Sequence, residues 1–214
     1  MVKAIIFDFD GVLVESVDVK TKAFANMFEK YGPDVVQKVV EHHLANGGMS
    51  RFEKIAYYHS EILKKPLSKT ELNTLCEQFS DMVVEHVINA PMVEGAEVFL
   101  SNNYTRYLLF IVSGTPQDEL RSIVRRRKMD YFFKGIFGSP ADKVSLTRSV
   151  LDTFSLDRKQ VFFVGDAITD YRAAHKTGIR FIGRVSPGLT NIFPGDTRVI
   201  PDLTGLEHGI QILE

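Results

Sequence analysis

Asp8-Phe9-Asp10-Gly11 sets two carboxylates two residues apart, where the short apolar run Ala4-Ile5-Ile6-Phe7 gives out. Side chains at i and i+2 share a face while a strand persists. Two close carboxylates repel, so both stay ionised only if a cation lies between them, and oxygen ligands suit Mg2+. Taken alone, such a pair is equally consistent with solvated acids closing a strand. The other residues shift the balance. Val161-Phe162-Phe163-Val164-Gly165-Asp166 repeats the layout of apolar run then acid, and Asp170 follows about one helical turn later. Ser113-Gly114-Thr115 ends a third apolar run, and Pro116 opens a helix, whose N-terminus attracts anions. Lys143 stands near the start of another helix. A cation there is mildly unfavourable to the dipole, which points to function rather than helix stability. Acid, hydroxyl, acid and lysine suffice to hold a metal and a phosphate. A phosphoryl group resists attack by an anion unless its oxygens are neutralised, and a metal with a lysine does that.

The elements that position these groups follow from hydrophobic patterning. Residues 2–9, 107–112, 161–164 and 180–182 read as buried strands, with weaker candidates at 135–137 and 198–200. Helical spacing falls between the later strands, over residues 117–128, 142–154 and 169–177, the last stopping at Gly178. Continuous apolar strands alternating with helices predict an α/β fold, a doubly wound parallel sheet covered on both faces. Ligands of such sheets bind beyond the carboxyl ends of the strands, where Asp8, Ser113 and Asp166 all fall. The long stretch between the first strand and the second is helical instead. Residues 17–31, 35–44, 51–63 and 68–88 carry apolar stripes, and Ser68 with Glu71 forms a capping box. The expected organisation is a Rossmann-like core of residues 1–16 and 90–214, with a helical cap of residues 17–89 inserted after the first strand.

Bulk properties exclude several classes. The net charge of −1 gives no electrostatic case for nucleic acid. Arg125, Arg126, Arg127 and Lys128 are the one basic block and read as a solvated helix end. Cys76 is the only cysteine, falls in an apolar stripe and is expected in the core. No run is long enough to span a bilayer. The N-terminal apolar run is broken by Asp8 and Asp10, unlike a signal peptide. A cytoplasmic monomer is the default.

With these residues in view, the chain resembles the haloacid dehalogenase superfamily, in its phosphatase branch with a small helical cap, similar to phosphoglycolate phosphatase and β-phosphoglucomutase-like proteins. The stretch from Asp8 to Ser16 resembles that family's first motif, Ser113-Gly114-Thr115 the second, Lys143 the third and Gly165-Asp166-Ala167-Ile168-Thr169-Asp170 the fourth. The resemblance implies that Asp8 is nucleophile and Mg2+ ligand. It makes Asp10 general acid then base, with its backbone carbonyl on the metal. Ser113 and Gly114, with Thr115 beside them, would hold the phosphoryl group, and Lys143 would pair with it and with Asp8. Asp166 would ligate the metal, and Asp170 would support the metal or Lys143. Family dehalogenases lack an acid at the place of Asp10, which argues against that chemistry. Phosphonate-cleaving relatives use a cap lysine, but nothing in the pattern marks one among Lys20, Lys22, Lys30, Lys38 and Lys54.

The cap loop Asn46-Gly47-Gly48-Met49-Ser50-Arg51 resembles that of sugar-phosphate relatives. Gly48 would allow close backbone approach, and Arg51 would clamp a second anion. The plainer reading is a turn with Ser50 as N-cap and Arg51 solvated. His42 and His43 read as helix-surface residues. Hexose-phosphate mutases of the family carry a histidine where this chain has Lys20, so Lys20 weighs against mutase activity and contacts either substrate or solvent. The expected activity is hydrolysis of a small phosphorylated metabolite, a sugar phosphate or related acid, with Mg2+ as cofactor. A phosphomutase and a non-catalytic ligand-binding scaffold are the alternatives.

Overall fold

A computed structural model describes residues 1–213. Six strands form one sheet: β1 (Ala4–Phe7), β2 (Leu108–Pro116), β3 (Gly135–Ser139), β4 (Val161–Gly165), β5 (Arg180–Arg184) and β6 (Val199–Ile200). Their order is β3-β2-β1-β4-β5-β6, and all five pairings are parallel. β1 therefore sits at the switch point, between β2 and β4. Phe7 pairs with Ile111 on one side and Val164 on the other. That register brings Asp8, Ser113 and Asp166 to one edge of the sheet.

The side chains of β1 divide by parity, as a pleated strand requires. Ile5 and Phe7 join the apolar cluster on one face, while Ala4 and Ile6 join that on the other. The second cluster packs Leu146, Val150 and Leu151 of α7 (Lys143–Thr153) and Ala173 and Ala174 of α8 (Ile168–Thr177) onto the sheet. The first includes Leu120, Ile123 and Val124 of α6 (Gln117–Arg126). It continues without a break into the insert between β1 and β2.

Four helices make up most of that insert: α1 (Val17–Phe28), α2 (Pro33–Ala45), α3 (Arg51–Tyr57) and α4 (Lys69–Asn89). Phe24, Phe28, Val39, Ile55, Tyr58, Phe79 and Val83 are all buried among them. Ser50 and Ser68 start α3 and α4 with reciprocal capping boxes to Glu53 and Glu71, each worth about 1 kcal/mol of helix stability. Arg127 does not lie in solvent as its basic block suggested. It donates to the carbonyls of Val87, Ile88 and Ala90 at the end of α4, where the helix runs out of intrahelical donors. Arg126 pairs with Glu85 of the same helix.

Several boundaries differ from the sequence reading, three of them most. β1 is shorter, spanning Ala4–Phe7, and the chain beyond it turns at Gly11, whose φ is +74°. β2 runs on to Pro116, past a register shift after Val112. α3 ends at Tyr57 and widens into a looser turn over Tyr58–Ile62, which periodicity alone does not distinguish from helix. Two further helices, α5 (Ala96–Asn103) and α9 (Leu206–Leu213), are too short for their periodicity to stand out. Cys76 is buried, and among the described residues no helix is long and apolar enough to cross a membrane.

Candidate active site

Asp8 leaves the end of β1 almost fully buried, at 3% exposure. One carboxylate oxygen accepts from the Phe9 backbone N–H at 2.7 Å, and the other lies 2.7 Å from Lys143 Nζ. Lys143 is the first residue of α7, whose N-cap Asp142 accepts from the Val144 and Ser145 amides. The cap fixes the direction in which α7 starts and so points Lys143 back at the sheet edge. Its ammonium also reaches Asp170, at 2.6 Å. Asp170 is wholly buried, and its second oxygen accepts from the Ala167 N–H at 3.1 Å.

Asp8, Asp166 and Asp170 each offer an oxygen, and these lie within 4.8 Å of one another. Asp8 and Asp170 share Lys143, and Asp166 adds a third acid beside them. Burial raises the pKa of Asp166 well above the usual carboxylate range, and Asp8 and Asp170 add to the rise. Burial also raises Asp8, against the pull of Lys143, and lifts Asp170 to about 7 despite Lys143. Burial disfavours the Lys143 charge, but Asp170 and Asp8 outweigh it and hold its pKa above that of an ordinary lysine. An excess of clustered hard oxygen donors over cations fits a divalent metal such as Mg2+.

Asp10 lies in a different environment. Its carboxylate accepts from Lys20 Nζ at 2.5 Å, Ser16 Oγ at 2.6 Å and Thr115 Oγ1 at 3.0 Å. Burial works to raise its pKa, yet Lys20 and the two hydroxyls prevail and hold it below the ordinary value. Lys20 also donates to Thr115 at 2.8 Å. It is thus tied to the acid two residues from Asp8, with only 15% of its side chain exposed.

Ser113 is buried, and its hydroxyl accepts from the Thr115 N–H at 3.1 Å. Asp8, Asp10, Ser113, Gly114, Thr115 and Asp166 line one cavity of about 70 Å³. The insert supplies the other wall through Val17, Lys20, Phe24, His43, Gly48, Met49, Arg51, Lys54 and Phe79. Sheet edge and insert meet at two glycines. A Cβ on Gly48 would stand 2.2 Å from Thr169 Oγ1 and 2.8 Å from Lys143 Nζ, and one on Gly114 would stand 2.4 Å from the Gly48 carbonyl oxygen. Gly48 also has a φ of +73°, a region that L side chains rarely adopt. Gly48→Ala is therefore expected to push the loop off the sheet edge. Steady-state kinetics should show kcat/KM lowered by roughly 10- to 100-fold, the scale of about an ångström of misplacement in a site. Wild-type kinetics in this variant would count against so tight a contact.

Arg51 is neither a free clamp nor solvated. It is 5% exposed, and its guanidinium forms a two-pronged pair with Glu119 of α6 and also donates to Ser80 of α4. Its charge is thereby committed to joining insert and sheet. His43 likewise departs from expectation: it is buried, packed on the Phe24 ring, and 2.8 Å from Lys54 Nζ. The residues sequence reasoning missed are Ser16, His43, Lys54, Glu119 and Thr169, whose hydroxyl donates to the Gly47 carbonyl at 2.8 Å. For Lys54 a signal existed. The Ser50–Glu53 capping box starts a helix at Arg51, which puts Arg51 and Lys54 three residues apart on one face.

Comparison with known proteins agrees with this geometry. The haloacid dehalogenase-like hydrolase family profile matches residues 5–184. The phosphoglycolate phosphatase of Haemophilus influenzae (strain 86-028NP) is 26% identical over 191 residues, covering 85% of this chain and 84% of the relative. The β-phosphoglucomutase of Clostridium difficile superposes with a TM-score of 0.80 at 18% identity, covering 100% of this chain and 97% of the other. CbbY of Rhodobacter sphaeroides, solved with phosphate, superposes with a TM-score of 0.76 at 18% identity, covering 99% and 100%. The last two show the fold alone. With the family profile spanning the sheet edge, the insert and every acid of the cavity, the chain belongs to the haloacid dehalogenase-like hydrolase family.

Proposed function

We propose that the protein is a Mg2+-dependent phosphomonoesterase that acts on a small phosphorylated metabolite through a phospho-aspartate on Asp8. The observation that carries this reading is the convergence of Asp8, Lys143, Asp166 and Asp170 at one edge of the sheet, in a cavity closed by the insert acting as a cap. Relatives named phosphoglycolate phosphatase support the phosphatase assignment.

Asp8 attacks phosphorus, an Asp8–phosphorus bond forms and the bond to the leaving oxygen breaks. Lys143, 2.7 Å from Asp8, offsets negative charge on the transferring group. Ser113 and the Gly114 N–H hold its oxygens. The leaving alkoxide takes a proton from Asp10. Water then attacks the phospho-aspartate, gives its proton back to Asp10 and releases inorganic phosphate. Asp8, Asp166 and Asp170, with the Asp10 backbone carbonyl, would hold Mg2+, which when bound supplies charge neutralisation at the phosphoryl oxygens. Lys20, tied to Asp10 and Thr115, leaves the mutase reading without a supporting observation.

The purified protein with Mg2+ is expected to release phosphate from members of a panel of phosphoglycolate and sugar phosphates. No release from any member would overturn the proposal, and isomerised sugar phosphate without free phosphate would turn it into a mutase. Mg2+ should also raise the melting temperature, since a ligand that binds only the folded state stabilises it. Carboxylates must be ionised to bind, and those of Asp8, Asp166 and Asp170 titrate high. Mg2+ affinity measured by calorimetry should therefore strengthen as pH rises from about 5.5 to 7.5. Asp166→Asn should lose the Mg2+-dependent shift in melting temperature. An affinity independent of pH would exclude this cluster as the metal site.

A further inference from the structure

Three cations line the cavity, and two are committed. Lys20 is paired with Asp10, and Arg51 with Glu119. Lys54 differs. It is 3% exposed, and among the described residues it makes no ion pair. Its hydrogen-bond partners are neutral: His43 Nδ1 at 2.8 Å and the His43 carbonyl at 3.2 Å. An ammonium only donates and has three N–H groups, so His43 Nδ1 accepts, and one donor of Lys54 is left over. A buried charge without a counter-charge is costly, and an anion entering the cavity would relieve it.

The surroundings define what that group is. Phe24, whose ring centroid lies 5.8 Å from Lys54 Nζ, packs on Phe79 at 4.3 Å, and Val17 and Met49 continue an apolar wall. Few polar groups on the cap side are available to the hydroxyls of a sugar. About 70 Å³ admits a short leaving group, well below the several hundred cubic ångströms of pockets that enclose larger ligands. One remaining N–H on a point charge suits a carboxylate better than a second phosphate, which draws several donors or a planar guanidinium fork.

We infer that Lys54 is the specificity-determining contact for a carboxylate carried on the leaving group of a short phosphate ester, a reading that rests on the phosphomonoesterase assignment above. His43 positions the ammonium as a neutral acceptor. Burial, and then the Lys54 charge, push its own pKa down to about 3, so it does not compete for the incoming anion. Burial, with Lys20 and Lys143 adding to it, likewise pushes the Lys54 ammonium down to about 7, against the pull of Asp10 and Asp166.

Phosphoglycolate and ethyl phosphate provide the test, because they differ by a carboxylate in place of a methyl group. The wild-type enzyme with Mg2+ should prefer phosphoglycolate by at least tenfold in kcat/KM. Lys54→Met and Lys54→Gln should each cut that preference by roughly 10- to 100-fold, the scale of a hydrogen bond to a charged group. Wild-type discrimination needs no substitution, so its absence overturns the role of Lys54 even if both variants misfold. Hydrolysis of both esters by the wild type without preference, or a preference unchanged in folded variants, would overturn the role of Lys54 and leave the phosphatase assignment standing. Hydrolysis of neither ester, nor of any other monoester, would remove both.

Discussion

Asp8→Asn is expected to lower kcat by roughly 10^4-fold or more, the scale on which a covalent nucleophile is lost, while the protein stays folded. The amide keeps the shape of the carboxylate and its acceptor for the Phe9 N–H, but it has no anionic oxygen to attack phosphorus. The fold should tolerate the change well. The environment raises the Asp8 pKa, with burial the leading cause, so the ionised form is disfavoured there on balance despite Lys143. Lys143 retains Asp170 as partner, and the crowding of Asp8, Asp166 and Asp170 is relieved. Metal-free Asp8→Asn should thus melt no lower than the metal-free wild type. Phosphate release and thermal melting of one sample check both halves. Residual turnover near the wild-type level would end the phospho-aspartate mechanism.

Lys143→Met is expected to do the opposite to stability as well as abolish turnover. It removes the one cation that, among the described residues, touches both Asp8 and Asp170. Breaking a buried pair from one side costs about 3–5 kcal/mol, because the orphaned charge remains. Here the carboxylates have an escape, which is to take up protons. Asp170 already titrates at about 7 with Lys143 beside it and rises further without it. A carboxylate whose pKa is higher folded than unfolded binds more protons in the folded state, so stability falls as pH rises between the two values. Lys143 itself, with a raised pKa, is fully protonated below its unfolded value, so its stabilisation is intact across this range in the wild type. The deficit of Lys143→Met should therefore be small near pH 5 and large near pH 8. Urea unfolding at both values in the presence of a chelator measures it. Equal stability of variant and wild type at pH 8 would contradict the buried cluster.

How much of this site was legible in the sequence depended on whether a residue's role is local. Asp8, Ser113 and Asp166 each follow an apolar run, and a parallel sheet places the ends of its strands along one edge. Their convergence was thus implied before any coordinates. Lys143 was marked by its unfavourable position at a helix start. The insert was legible as helix because its stripes repeat at helical spacing, and its Ser68–Glu71 capping box appears in both reading and structure. Local patterns failed where partners lie far apart along the chain. Arg51 was read as a clamp or a solvated residue, and only the packing of α3 against α4 and α6 shows that Glu119 and Ser80 take its charge.

The sequence by itself determined the sheet, the helical insert and the acids, because hydrophobic period and strand-end position are short-range properties of the chain. Tertiary structure alone decided which charges are spent and which are left over. Lys20, Arg51 and Lys54 are all cations of the insert, yet Asp10 takes the first and Glu119 the second, and the third meets only a neutral histidine. Charge pairing depends on distance and burial in three dimensions, since the strength of an ion pair falls with separation and rises as water is excluded, and neither quantity is written in the order of the residues.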